Sequence, residues 1–160
     1  MTFMKNGFTL IEIIISVAII SLVSVSAIYA IGLNLSSAFN IKNNLIASSI
    51  AQEGLEVVRN IRDNDSHAGA AFGASLSNGD YRVEWSSFSL LPFQDVFLKK
   101  DSSGFYSYSS GQDTIFKRKI TIGNSLQNGP AIEKVAKVEV SWNEKSGPKA
   151  IQAESRLFNW

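Results

Sequence analysis

A single carboxylate, Glu12, stands inside an otherwise uncharged run from Phe8 to Leu35. A charge there is expensive in hydrocarbon and is functional by default. Elsewhere the means for chemistry are sparse. The chain has no cysteine and one histidine, His67, which excludes disulfides, zinc-thiolate sites and a cysteine nucleophile. His67 follows Asp63 and Asp65 in D-N-D-S-H. A calcium loop needs more oxygen ligands and a later bidentate acid, so the segment reads as a solvated helix-end turn, with no metal expected. Gly69, Gly73 and Gly79 lack the Lys-Ser/Thr ending of a phosphate loop. No serine sits in a nucleophile elbow. No enzyme and no cofactor are expected. Phe105-Tyr106-Ser107-Tyr108 reads as sheet or loop packing rather than an exposed contact surface. Lys117-Arg118-Lys119, the densest basic spot, reads as a solvated strand edge.

The apolar run must position Glu12. A membrane-crossing helix needs about 20 apolar residues, and the stretch from Phe8 to Leu35 exceeds that. Its Leu, Ile, Val and Phe residues favour insertion by roughly 5 to 10 kcal/mol, against about 3 kcal/mol for a central charge. Lys5 and the amino terminus precede the run, which leaves residues 36–160 on the outer side. A secretory signal peptide has an apolar core of about 7 to 15 residues. Val25-Ser26-Ala27, the one small-residue site, is embedded in further apolar sequence. A plain signal anchor fits the length but leaves Glu12 unexplained. The net charge of +1 gives no basic excess, so nucleic acid is not expected as a partner.

Lys5-Asn6-Gly7-Phe8-Thr9-Leu10-Ile11-Glu12 resembles the prepilin signature of the type IV pilin and type II secretion pseudopilin superfamily: a short basic leader ending in glycine, an aromatic, then TLIE. The resemblance implies cleavage between Gly7 and Phe8 by a prepilin peptidase, N-methylation of Phe8, and a role for Glu12 in assembly. The implied partners are other pilin or pseudopilin subunits, the inner-membrane assembly platform and the lipid bilayer. Those roles are physically coherent. Gly7 has no side chain to obstruct a protease cleft. Phe8 and Glu12 are about 6 Å apart along one helix face. Ala51 to Arg62, AQEGLEVVRNIR, also resembles a stretch of minor pilins, though the same spacing suits any amphipathic helix with Glu56 near Arg59. Many major pilins carry a proline in the membrane helix and a carboxyl-terminal disulfide. This chain has neither, its first proline being Pro92, which favours a minor subunit.

Residues 36–63 continue the helical period, with Phe39, Leu45, Ile46, Ile50, Val57, Val58 and Ile61 as an apolar stripe and Gly32 and Gly54 loosening it. Continuous from Phe8 to Asp63, the helix is roughly 80 Å long. Beyond it, Tyr81, Val83 and Trp85 alternate after a turn at Asn78-Gly79-Asp80, Phe116, Ile120 and Ile122 share a face, and Ala136, Val138, Val140 and Trp142 alternate with polar residues. Lys145-Ser146-Gly147-Pro148 turns into a last strand from Ala150 to Phe158. Residues 66–79 and 101–114 read as loops. The expected organisation is a leader at 1–7, a transmembrane helix at 8–35, its amphipathic continuation at 36–65 and a β-rich head at 66–160. The expected fold is α+β and pilin-like, a long N-terminal helix packed on one C-terminal antiparallel sheet. The expected function is that of a structural filament subunit, processed at the cytoplasmic membrane with its head outside. The alternatives are a pilus-associated adhesin or DNA-uptake module, or a plain signal-anchored domain.

Overall fold

The computed structural model describes residues 9–129 and 131–159. It opens on a single helix, α1 (Leu10–His67). Thr9 stands just before it, and the Glu12 amide donates to Thr9 Oγ1 at 3.3 Å. T-L-I-E is therefore also a Thr-x-x-Glu start signal, with an acid near the positive end of the helix. No proline interrupts the run, and α1 ends only where Gly69 takes a φ of 70°, a conformation glycine adopts without strain.

The chain divides into two compact units, residues 1–42 and 43–160. In the first, every described residue is helical or caps the helix, and all are exposed. This part of α1 is long and apolar enough to cross a membrane. Phe39, expected on the apolar stripe, is exposed with the rest.

The second unit carries the core. Its strands are β1 (Gly79–Arg82), β2 (Leu91–Pro92), β3 (Lys99–Lys100), β4 (Tyr106–Ser107), β5 (Gln112–Asp113), β6 (Lys117–Asn124), β7 (Glu133–Glu144) and β8 (Gly147–Phe158). Five form a sheet in the order β2-β1-β6-β7-β8, with every pairing antiparallel. The other three form a small antiparallel sheet, β4-β3-β5. The head thus has two sheets where one was expected, and β4 and β5 occupy the stretch read as loop. Strands of two residues show no alternation by which to find them.

Ala136, Val138, Val140 and Trp142 on β7 and Ile120 and Ile122 on β6 are buried, and share the core with Ile50, Val57, Val58 and Ile61 of α1. The helix stripe differs from the expected one at its near end. Leu45 is exposed, and the buried positions there are Ala47, Ala51 and Gly54. Residues 47, 50, 51, 54, 57, 58, 61 and 62 keep helical spacing, but Leu45 projects from the opposite side. Gly54 does not loosen the helix. A methyl group there would stand 3.2 Å from Arg118 Cδ and 3.2 Å from Val138 Cγ1, so its bareness lets helix and sheet approach. The β7–β8 hairpin closes with Glu144 opposite Gly147, and β8 begins three residues before the expected Ala150.

Gly54→Leu should therefore cost about 1 to 3 kcal/mol through overpacking, despite the better helix propensity of leucine. Chemical denaturation followed by tryptophan fluorescence measures this. A variant as stable as the parent would show that Gly54 is not a contact point.

Candidate functional site

The residues singled out for processing, Gly7 and Phe8, lie outside the described residues. Glu12 is in the first turn of α1 and is exposed. Among the described residues its carboxylate has no partner. Its backbone carbonyl accepts a hydrogen bond from Ser16 Oγ at 2.7 Å. The pattern recurs along the apolar part of the helix: Ser21, Ser24 and Ser26 donate to the carbonyls of Val17, Ile20 and Leu22, and Asn34 to that of Ala30. Each of these polar side chains has an acceptor one turn back, which removes most of its cost in a medium without water. Among the described residues Glu12 has no such internal remedy. A carboxylate in hydrocarbon requires a proton or a cation supplied from elsewhere.

In the head, the Lys117-Arg118-Lys119 run is not a solvated edge. β6 is flanked by β1 and β7, and Arg118 is 1% exposed. Its guanidinium crosses to α1, where Nη1 donates to Ile50 O at 3.1 Å and to Glu53 Oε1 at 2.9 Å. Nη2 donates to Val83 O. The alternation of Phe116, Ile120 and Ile122 already placed residue 118 on the core side, but the two flanking lysines hid it. Tyr108 Oη donates to Arg118 O at 3.3 Å, and burial raises the Tyr108 pKa above its ordinary value while Arg118 and Arg82 oppose the rise. Tyr106 and Tyr108 pack against the core, whereas Phe105 is half-exposed and stacks on Trp85, with ring centroids 4.8 Å apart.

Two carboxylates pin the ends of β7. Glu133 accepts from Ser125 Oγ at 2.7 Å and from Asn128, with Arg156 Nη1 at 3.3 Å. The Ser125 hydroxyl foremost, then Asn128 and Arg156, hold its pKa below the ordinary carboxylate value against the effect of burial. Glu144 accepts from Trp142 Nε1 at 2.8 Å and from Asn43 Nδ2 at 3.1 Å, and these bonds, the indole's first, lower its pKa likewise. Neither residue stood out in the sequence, because a lone acid at a strand end has no spacing to mark it.

The D-N-D-S-H segment forms the last residues of α1. Asp65 accepts from the Ser75 amide at 2.9 Å and its hydroxyl at 2.7 Å, so it fastens the following loop. Among the described residues no three His, Asp or Glu side chains gather as metal ligands. The helix pair Glu56 and Arg59 forms an exposed ion pair, of little energetic weight.

Residues 3–28 match the family described as the Prokaryotic N-terminal methylation motif. This motif is characteristic of type IV prepilins and pseudopilins, which are structural proteins rather than an enzyme family. No curated protein and no solved structure matches the chain.

Arg118→Ala leaves the Val83 carbonyl without its donor and Glu53 without its cation, empties the space of a buried side chain, and should destabilise the head by about 3 to 5 kcal/mol. Glu53→Gln, at a partly exposed position, should cost about 1 kcal/mol. Equal effects in denaturation curves would contradict this ranking. Because the folded pKa values of Glu133 and Glu144 are lowered, their stabilisation is complete above the ordinary Glu value of about 4.3 and is lost as pH falls through the folded values. Glu133→Gln should flatten that acid slope, and an unchanged slope would remove Glu133 as its source.

Proposed function

We propose that this chain is a structural, minor subunit of a type IV pilus or a type II secretion pseudopilus, made as a prepilin. On this reading prepilin peptidase cuts between Gly7 and Phe8 at the cytoplasmic face, and the new amino group on Phe8 is methylated. The mature chain rests in the cytoplasmic membrane with its head outside, then enters a filament of like subunits through the assembly platform. The observation that carries the reading is the motif over residues 3–28, set directly on a capped apolar helix with Glu12 in its first turn.

Among the described residues the Glu12 carboxylate has no partner, which supports the assembly role. The mature Phe8 ammonium of a neighbouring subunit, offset along the filament axis, supplies the cation. Removing one member of a buried pair strands the other, which is strongly destabilising, so the pair selects register as well as contact. The two filament types share this start and this helix, and the reading covers both.

Glu12→Val keeps the apolar helix and the cleavage residues. It should be processed as the parent is, yet appear in the sheared filament fraction at least about tenfold less, the ratio that 1.4 kcal/mol produces. Incorporation at the parental level would refute the assembly role of Glu12.

A further inference from the structure

The second unit has one apolar end, and strand register fixes which end it is. Asn43, the first residue of that unit, bonds Glu144 at the hairpin end of β7. Lys117, at the start of β6, pairs with Ser141 close by. β1 runs toward the same end, since Gly79 pairs with Ile122 and Tyr81 with Ile120, so the turn after Arg82 emerges there. That turn carries Trp85 and Phe88, and Phe88 is 85% exposed. Phe105 stacks on Trp85. Phe97 and Ile115 stand half-exposed around a hollow shared with Lys117, Trp142 and Lys149. At the opposite end, where β6 and β8 finish and β7 begins, the large exposed apolar side chains among the described residues are Leu126, Ile132 and Phe158 alone.

We propose that this end, with Trp85, Phe88 and Phe97 foremost, docks on the lipid headgroup layer of the membrane that the chain spans. The proposal rests on the part of the reading above that places residues 8–35 in the bilayer, and not on cleavage at Gly7. Tether length selects the occupant. Seven residues, 36–42, separate the apolar run from Asn43, a reach of about 25 Å even at full extension. While the chain is anchored, the end that begins at Asn43 stays within that reach of the bilayer. A tethered surface meets its partner at high effective concentration, so a modest patch suffices. Composition agrees. Trp and Phe beside Lys settle at a membrane–water interface, the rings among the headgroups and the ammonium groups toward phosphate. Lys117 Nζ lies over the Phe97 ring, 4.8 Å from its centroid, and also pairs with Asp95. Lys145 and Lys149 are exposed at the hairpin. A second copy docked through the same end would bring its own lysines against these, whereas phospholipid phosphate complements them.

The absence of cysteine lets a single introduced thiol report on this contact. The full chain is placed in vesicles of phosphatidylcholine and phosphatidylglycerol, with a fluorophore on Ser89→Cys beside Phe88. A second sample carries it on Ser77→Cys, two residues before β1 at the far end. A lipid with a nitroxide on its headgroup should quench the label at position 89 and leave that at position 77 unchanged. Adding Phe88→Ser, at an exposed position, should lower the docked-to-free ratio about tenfold. Equal quenching at both positions, or quenching at 89 that survives Phe88→Ser, would overturn the proposal. So would labels at 89 that quench one another but not with the nitroxide lipid, the mark of a second copy on the patch. Flotation tests the span separately. A chain that floats with the vesicles without quenching refutes the docking alone, and a chain that does not float refutes the span and the docking together.

Discussion

The head depends on one buried cation reaching across its core. Arg118, on a strand inside the sheet, donates to the backbone of α1 at Ile50, to Glu53 on the same helix, and to Val83 just past β1. A charge with 1% exposure is tolerable only when most of its donors are engaged, so helix, β6 and the end of β1 must hold one relative position. Gly54 is the steric counterpart. Its missing side chain admits both the Arg118 stem and Val138. A leucine-rich stripe would bury more apolar area but would hold the guanidinium away from the Ile50 carbonyl. Small residues at Ala47, Ala51 and Gly54 trade that area for close approach.

The same helix meets the opposite requirement in residues 9–42. There it exposes apolar side chains and turns polar ones back on its own backbone, Ser16, Ser21, Ser24 and Ser26 each bonding a carbonyl one turn earlier. Glu12 is the exception, a carboxylate with nothing among the described residues to answer it. A carboxylate in an apolar helix requires a proton or a cation from elsewhere, and on the proposed reading a neighbouring subunit supplies it.

Much of this was legible in the residues. The long helix followed from an unbroken period without proline. The core face of β7 followed from strict alternation, and the hairpin from Lys145-Ser146-Gly147. Arg118 was missed because three adjacent charges look solvated, although the period-two count from Phe116 through Ile122 placed residue 118 inside. Leu45 has the apolar type of the stripe but not its side of the helix, and Gly54 looks like a weakness only because propensity describes a helix alone, not one pressed against a sheet. The small second sheet left no trace because strands such as Tyr106–Ser107 are shorter than one alternation. The start motif was readable as a resemblance carried by Lys5 to Glu12, and the matched motif over residues 3–28 agrees with it.

A chain made as a prepilin carries the mark of that processing at its amino terminus. Mass spectrometry of the protein purified from its own membranes should find a chain that begins at Phe8 with one added methyl group. A chain that keeps Met1, or one that begins near Ile28 after Val25-Ser26-Ala27, would contradict the account and return Glu12 to an unexplained charge in an anchor.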